Sequence, residues 1–136
     1  MIPALRVITP GLLTTVQDLG RTGYQHLGVA VSGALDTVSL RAANALVGNA
    51  AGTGVLEVAY VGPTLVVDAD SARLAFAGAN AEIEILPNEN AAVGTRIESM
   101  RTIRLRRGQA VRIGSLADAA VLYVAVEGGF EIEPVL

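Results

Sequence analysis

Short apolar runs separated by turn-forming residues fill most of this chain, and they constrain its fold more than any other feature of the sequence. Glycine, proline and asparagine mark the breaks, as at Gly62-Pro63 and Pro87-Asn88. The runs comprise residues 5–8, 55–60, 64–67, 73–77, 81–86, 103–106, 110–113 and 120–126. Many short strands at this spacing are typical of a β-barrel or a β-sandwich.

The sequence predicts one principal helix, over residues 37–47. Asp36 is a suitable N-cap, because its carboxylate can accept a hydrogen bond from a main-chain N–H of the first turn. Leu40, Ala43 and Val47 recur at helical spacing. Gly48-Asn49 follows, and both residues tolerate the left-handed conformation with which helices often end. We therefore expect a mainly β fold with one principal α-helix.

The amino-acid composition excludes several classes of function. The 136 residues, 51% hydrophobic and 17% charged, suit one domain with a substantial core. The formal net charge is −3 and the basic residues are dispersed arginines, so nucleic-acid binding has little support. Lysine is absent, which excludes a Walker A lysine, a Schiff base and a lysine general base in these residues. Without cysteine and with one histidine, we also expect no metal site.

The amino-terminal residues and the apolar runs bear on cellular location. Residues 1–11 lack the basic region followed by a long apolar stretch that marks a signal peptide. The longest apolar runs, such as residues 119–126, are too short to span a bilayer. We therefore expect a soluble cytoplasmic protein.

Chemistry-bearing side chains concentrate in a glycine-rich polar run, residues 14–49, which contains the single histidine. Glycine lets the main chain turn sharply and approach a ligand closely, and residues 14–33 are expected to be loop-like with short extended pieces. Gln17, Asp18 and Arg21 could form a clamp in which the guanidinium fork meets a carboxylate or ureido oxygen, while Asp18 orients it or accepts a proton. The structural alternative is an internal Asp–Arg or Gln–main-chain network that holds the loop.

Further candidates in this run are His26, Ser32 and Tyr24. His26 could act as a general acid or base, or donate a hydrogen bond to an oxyanion; otherwise it is a satisfied loop histidine. Ser32 lacks the flanking glycines of a nucleophile elbow, so residues 32–36 are interpreted as a turn that leads into the helix. Ser32 could still bind a ligand, because anions are favoured at a helix N-terminus. Tyr24 is included among the substrate-binding candidates.

Two candidates interrupt regular elements. Asn44 is a poor helix former inside the predicted helix, so either a neighbouring loop or a ligand should hydrogen-bond it. Glu57 shares one face of an apolar strand with Val55 and Ala59; it either faces solvent or lies in the barrel interior, where it would suit acid–base chemistry. The candidate catalytic residues are thus Asp18, Arg21 and His26, and the candidate substrate-binding residues are Gln17, Tyr24, Ser32, Asn44 and Glu57.

The polar run also carries a resemblance to a known family. The matching stretches are residues 10–21 (PGLLTTVQDLGR), 28–29 (GV), 32–36 (SGALD) and 43–49 (ANALVGN), with weaker matches at residues 56–57, 62–64, 78–79 and 127–129. In these residues the chain resembles the biotin-dependent carboxyltransferase family, also named allophanate hydrolase subunit 2. The family includes the urea amidolyase carboxyltransferase domain, a 5-oxoprolinase subunit and KipA-type regulators.

The resemblance implies a cyclophilin-like β-barrel and makes residues 1–136 the amino-terminal half of a domain about twice as long. It implies a subunit or fragment of an amide- or ureido-processing enzyme, of the carboxyltransferase, allophanate hydrolase or ATP-dependent 5-oxoprolinase type. The implied partner is a subunit 1 or KipI-like protein, and the implied cofactor is carboxybiotin on a carrier domain or ATP. Arg21, His26 and main-chain N–H groups near Ser32 could then stabilise charge on substrate oxygens.

The alternative is a non-catalytic, KipA-like regulatory module that binds a KipI-like partner protein. In that case the glycine-rich run would be an interface. Under either interpretation, we expect the isolated chain to be catalytically inert.

Overall fold

The computed structural model describes residues 5–17 and 35–129 of the chain. Within these ranges it contains one α-helix and ten β-strands. The helix is α1 (Thr37–Leu46), and the strands are β1 (Leu5–Thr9), β2 (Leu13–Gln17), β3 (Val55–Ala59), β4 (Thr64–Val67), β5 (Ser71–Gly78), β6 (Ala81–Leu86), β7 (Thr95–Ile97), β8 (Arg101–Arg106), β9 (Ala110–Leu116) and β10 (Val121–Val126). The predicted mainly β fold with one principal helix is confirmed.

The strands of the described ranges form two antiparallel sheets of five strands each. The first sheet has the order β1-β4-β9-β6-β7, and the second has the order β2-β3-β10-β5-β8. Inward-facing side chains of both sheets meet in one shared core. Its buried members include Leu56, Val58, Leu65, Leu74, Phe76, Ile83, Val111, Ile113, Leu122 and Val124. The chain passes repeatedly from one sheet to the other, so each sheet draws strands from both halves of the sequence.

Helix α1 packs against strand β10 and forms a third layer beside the two sheets. All six residues of β10 are buried. Leu122 and Val124 belong to the core between the sheets, whereas Tyr123 and Ala125 belong to the cluster beneath α1. A strand covered on both faces has a nearly continuous apolar sequence rather than an alternating one. Helix α1 therefore covers part of the outer face of the second sheet.

Both ends of α1 are set by local hydrogen bonds. Asp36 is the N-cap, and its carboxylate accepts a bond from the Ser39 N–H. After the last turn, Gly48 adopts a left-handed φ of 75°. The Gly48 N–H then donates to the Ala45 carbonyl at 3.1 Å and the Asn49 N–H to the Asn44 carbonyl at 2.9 Å, the two bonds of a Schellman motif. The predicted start and end of the helix are therefore confirmed.

The structure adds two strands to those predicted. Residues 14–17, at the start of the region expected to be loop-like with short extended pieces, belong to β2, which pairs with β3 along its whole length. Its Thr14-Thr15-Val16 segment is β-branched throughout, which favours a strand. Strand β7 is only three residues long and too short to show a periodic pattern.

Two further observations on the described residues concern membrane spanning and metal binding. No helix within residues 5–17 and 35–129 is long and apolar enough to cross a membrane. Over the same ranges, no three His, Cys, Asp or Glu side chains come together in a group that could hold a metal ion. Cytoplasmic location stays a prediction.

Candidate functional site

The candidate site lies on the outer face of the second sheet, beside the amino-terminal end of α1. Glu57 in β3 and Tyr123 in β10 stand directly opposite each other in the register of these strands. Tyr123 is fully buried and Glu57 is half-buried. Together with the main chain of Leu35 and Asp36, these two side chains form what we call the Glu57 cluster.

Three hydrogen bonds hold the Glu57 cluster together. The Tyr123 hydroxyl donates to Oε2 of Glu57 at 2.6 Å. The same carboxylate oxygen accepts the main-chain N–H of Leu35 at 2.9 Å. The Asp36 N–H in turn donates to the Tyr123 hydroxyl oxygen at 2.9 Å. Two consecutive N–H groups ahead of α1 are thereby joined to side chains of two central strands.

Tyr123 acts in this cluster as a stable proton donor. Burial is the largest cause that raises the pKa of its hydroxyl above the ordinary value, and the hydrogen bond to Glu57 is the next. The phenol therefore stays protonated at neutral pH and keeps its O–H directed at the carboxylate. The 2.6 Å separation of the two oxygens lies at the short end of the range for O–H···O hydrogen bonds.

A second carboxylate, that of Asp36, lies at the same end of the helix. Its oxygens accept hydrogen bonds from the Ser39 N–H at 3.1 Å and from the Ser39 hydroxyl at 2.5 Å. The bond from the Ser39 hydroxyl, followed by that from its N–H, holds the pKa of Asp36 below the ordinary value. The amino-terminal end of α1 is therefore rich in hydrogen-bond acceptors.

Strand β2 adds Thr15 and Gln17 to the same face of the sheet. Thr15 stands opposite Glu57, and Gln17 stands opposite Val55. The Gln17 Nε2 donates to the Thr15 hydroxyl at 3.1 Å. The structure thus brings two of the predicted substrate-binding residues, Gln17 and Glu57, onto neighbouring strands of one surface.

Asn44 lies apart from the Glu57 cluster, towards the carboxyl-terminal end of α1. Its side chain is completely buried, and its Nδ2 donates to the carbonyls of Ala51 at 3.2 Å and Thr53 at 2.8 Å. Asn49 extends this network to the carboxyl-terminal end of β10. Of the two alternatives given by the sequence, the neighbouring loop is what hydrogen-bonds Asn44. A contact between Asn44 and substrate stays a prediction.

The surroundings of Glu57 differ from both alternatives drawn from the sequence. Its side chain lies neither in the core between the sheets nor freely in solvent, because Tyr123 and Leu35 hold it on the face beside α1. Strand periodicity assigns a residue to a face but does not tell what covers that face. Sequence reasoning missed Tyr123. The available signal was its single hydroxyl within an apolar run, because a buried tyrosine hydroxyl needs a hydrogen-bond partner.

The remaining predicted site residues lie outside the described residues. They are Asp18, Arg21, Tyr24, His26 and Ser32. The described chain stops ahead of them at Gln17 and resumes after them at Leu35. Their catalytic and binding roles stay predictions.

A cavity opens away from the Glu57 cluster, between strands β1 and β2. It is an apolar cavity of about 170 Å³, lined by Val7, Pro10, Thr14, Thr15, Val16, Leu56, Pro63 and Leu65. None of these described lining residues is charged. The described part of its lining offers no acid–base group for chemistry at an amide, so we take the face around Glu57 as the candidate site.

The residues of this face lie within the part of the chain that matches a known protein family. Residues 27–136, which include every member of the Glu57 cluster, match the family model described as carboxyltransferase domain, subdomain A and B. The chain belongs to this carboxyltransferase family. The resemblance drawn from the stretches at residues 10–21, 32–36 and 43–49 is thereby confirmed.

The carboxyltransferase chain is similar to two curated proteins of much greater length. It is 32% identical to urea amidolyase of Saccharomyces cerevisiae over 130 residues, which cover 95% of the chain and 7% of the yeast protein. It is 35% identical to a 5-oxoprolinase subunit of Escherichia coli over 133 residues, which cover 97% of the chain and 40% of that protein. The chain therefore spans less than half the length of either relative.

Solved structures show the same fold for the carboxyltransferase chain. A crystal structure of TTHA0988 superimposes with a TM-score of 0.83 at 39% sequence identity, covering 98% of this chain and 47% of that one. The urea amidolyase of K. lactis superimposes with a TM-score of 0.82 at 31% identity, covering 97% of this chain and 8% of that one. These likenesses extend over both sheets and α1.

Proposed function

We propose that this carboxyltransferase chain belongs to an enzyme that acts on a small amide or ureido substrate together with a partner subunit. Family membership over residues 27–136 is the observation that carries the proposal. Urea and 5-oxoproline, for which the two relatives are named, both contain an amide-type C–N bond. The Escherichia coli relative is named as one subunit of its enzyme, which supports a partner for this chain as well.

The electrostatics of the site favour a ligand that carries N–H groups. Asp36 and Glu57 place two carboxylates near the start of α1, and Gln17 adds an amide on the neighbouring strand. Neutral amides and ureas present N–H donors that such acceptors can bind. This chemistry supports an amide or ureido substrate at the surface around Glu57, while contact between Glu57 and that substrate stays a prediction.

ATP phosphates do not fit the amino-terminal end of α1. A helix N-terminus binds anions through free main-chain N–H groups. Here the N–H groups of Leu35, Asp36 and Ser39 already donate to Glu57, Tyr123 and the Asp36 carboxylate. The Asp36 and Glu57 carboxylates already lie at this end of α1, so we propose no role for it in binding ATP. Phosphate handling in a 5-oxoprolinase-type reaction would fall to arginine side chains or to another subunit.

We assign the chemistry to Asp18, Arg21 and His26 of the polar run. The Arg21 guanidinium would stabilise negative charge that develops on the substrate carbonyl oxygen. His26 would transfer a proton at the substrate nitrogen, and Asp18 would orient Arg21. In a biotin-dependent reaction, carboxybiotin supplies an activated carboxyl group when it is bound.

Reconstitution tests the proposal. The chain is assayed alone and, joined to the second half of the domain that the resemblance implies, with its candidate partner subunit, for ATP-dependent cleavage of 5-oxoproline and, with biotin carboxylase and carrier domains added, for urea carboxylation. We expect turnover of one substrate by the assembly and none by the isolated chain. Turnover by the isolated chain would contradict the need for a partner. Stable binding of a KipI-like partner without turnover of either substrate would favour the regulatory alternative.

The variant Arg21→Lys tests the assigned clamp in the active assembly. It keeps the positive charge but loses the planar fork, so we expect turnover to fall roughly tenfold or more with little change in Tm. Arg41→Lys is the matched control, because Arg41 lies exposed on α1. Near wild-type turnover in folded Arg21→Lys would remove Arg21 from the site. A lowered Tm with retained turnover would make it a structural residue.

A further inference from the structure

We infer that Tyr123 and Glu57 are positioning residues: together they hold Leu35 and Asp36, which directly follow the polar run 18–34, at one place on the second sheet. The inference rests on the proposed function, which assigns the chemistry to residues of this run. Neither side chain needs to touch substrate in this role. Its consequence is that removing either hydrogen-bonding group should impair turnover without unfolding the protein.

The described residues on either side of the run lie near Glu57 on the second sheet. On one side, the chain enters the run after Gln17, two residues beyond Thr15, which stands opposite Glu57 in the register of β2 and β3. On the other side, it returns at Leu35, whose N–H donates to Glu57 at 2.9 Å.

Tyr123 makes the attachment a two-point one. Its hydroxyl accepts the Asp36 N–H at 2.9 Å and donates to Glu57 at 2.6 Å, so the N–H groups of Leu35 and Asp36 are both held. Bonds to consecutive peptide groups fix the direction of the chain as well as its location. The phenol is itself held in place, because its ring is fully buried beneath α1.

Packing alone does not require this polar pair. Its neighbours on the same face, Val55, Val121 and Ala125, are apolar and buried. The first turn of α1 is already capped by Asp36 and Ser39 without help from Glu57. Polar and charged groups lose hydration when they are buried, which costs free energy. Well-packed apolar residues in their place often give a protein equal stability. A hydrogen-bonded carboxylate here suits a fold that must hold one segment in one position.

Hydrogen exchange tests the attachment directly. Tyr123→Phe removes only the hydroxyl, so we expect the Leu35 and Asp36 amides to exchange roughly tenfold faster while the Val58 amide in β3 keeps its protection. Tyr60→Phe is the matched control, because Tyr60 is exposed. Unchanged protection of both Leu35 and Asp36 in Tyr123→Phe would overturn the inference.

Kinetics of the assembly with its partner subunit then test the positioning role. We expect Tyr123→Phe and Glu57→Met each to lower kcat roughly tenfold or more with little change in KM, and Tyr60→Phe to leave both unchanged. Methionine is chosen because the amide oxygen of a glutamine could still accept both hydrogen bonds. A lowered Tm with kcat retained in the folded fraction would reduce the pair to a structural role and overturn the inference. A raised KM with kcat retained in Glu57→Met would make Glu57 a substrate contact instead.

The two proposals fail in different ways. If the wild-type assembly turns over neither substrate, the proposed function fails, and hydrogen exchange alone decides the inference. Faster exchange at Leu35 and Asp36 in Tyr123→Phe then supports the attachment, and unchanged exchange refutes it. If the wild type is active and the variants match it in kcat, the proposed function stands and the positioning role is wrong.

Discussion

Replacing Asn44 by alanine should destabilise the protein, although alanine is the better helix former. Asn44 is completely buried in α1, and its Nδ2 donates to the carbonyls of Ala51 and Thr53 at 3.2 and 2.8 Å. These two bonds hold the loop between the helix and β3 against the helix. The variant removes both bonds and leaves a small void in their place.

The size of the effect follows from these contacts. Each hydrogen bond contributes about 1 kcal/mol to the free energy of unfolding, and the gain in helix propensity from asparagine to alanine returns at most about 0.7 kcal/mol. The net loss is therefore about 1–2 kcal/mol. An unfolding entropy of about 2.1 cal/mol/K per residue gives about 0.29 kcal/mol/K for 136 residues, so Tm should fall by about 3–7 °C.

Thermal unfolding followed by circular dichroism measures this shift. Arg41→Ala serves as the control, because Arg41 lies on the exposed face of the same helix and only propensity changes there. We expect the control to unfold within about 2 °C of the wild type. An Asn44→Ala protein that unfolds at the wild-type temperature would refute the structural role of this side chain.

Two further predictions concern a turn and the helix cap. Gly11 has a φ of 74°, and a Cβ added there would lie 2.6 Å from the carbonyl carbon of Gly62, whereas one added at Gly48, with a φ of 75°, meets nothing within 4 Å. Gly48→Ala should therefore lower the free energy of unfolding only by the strain of the left-handed conformation, about 1–2 kcal/mol. Gly11→Ala adds a steric clash and should lower Tm more than Gly48→Ala does. Equal Tm values for the two variants would contradict the steric argument. Asp36→Ala should cost about 1 kcal/mol at pH 7. Because its bonds to Ser39 lower the folded-state pKa of Asp36, this stabilisation is present above the unfolded pKa of about 3.9 and is lost as the pH falls through the folded value. The Tm difference from wild type should thus shrink on acidification, and a constant difference between pH 7 and pH 2 would exclude the carboxylate as its source.

The helix and several strands could be predicted from the sequence because their determinants are local. The cap bond from Asp36 to Ser39 and the turn at Gly48 join residues only a few positions apart. The bounds of β4 and β6 agree with the predicted runs, since each run is a short apolar or alternating stretch with turn residues beside it in the sequence. The family, too, was evident from short ordered stretches of residues.

The sequence by itself thus determined the class of fold, the helix and the family, whereas the tertiary structure decided the surroundings of Glu57. Tyr123 lies 66 residues from Glu57 in the chain, and Leu35 lies 22 residues away. Their meeting depends on which strands pair, in which register, and on which face of the second sheet α1 packs. Alternation along one strand separates its two faces but carries no information about a partner strand or a covering helix. Those contacts arise only when distant segments pack together, and they turn an isolated glutamate and an apolar run into one hydrogen-bonded cluster.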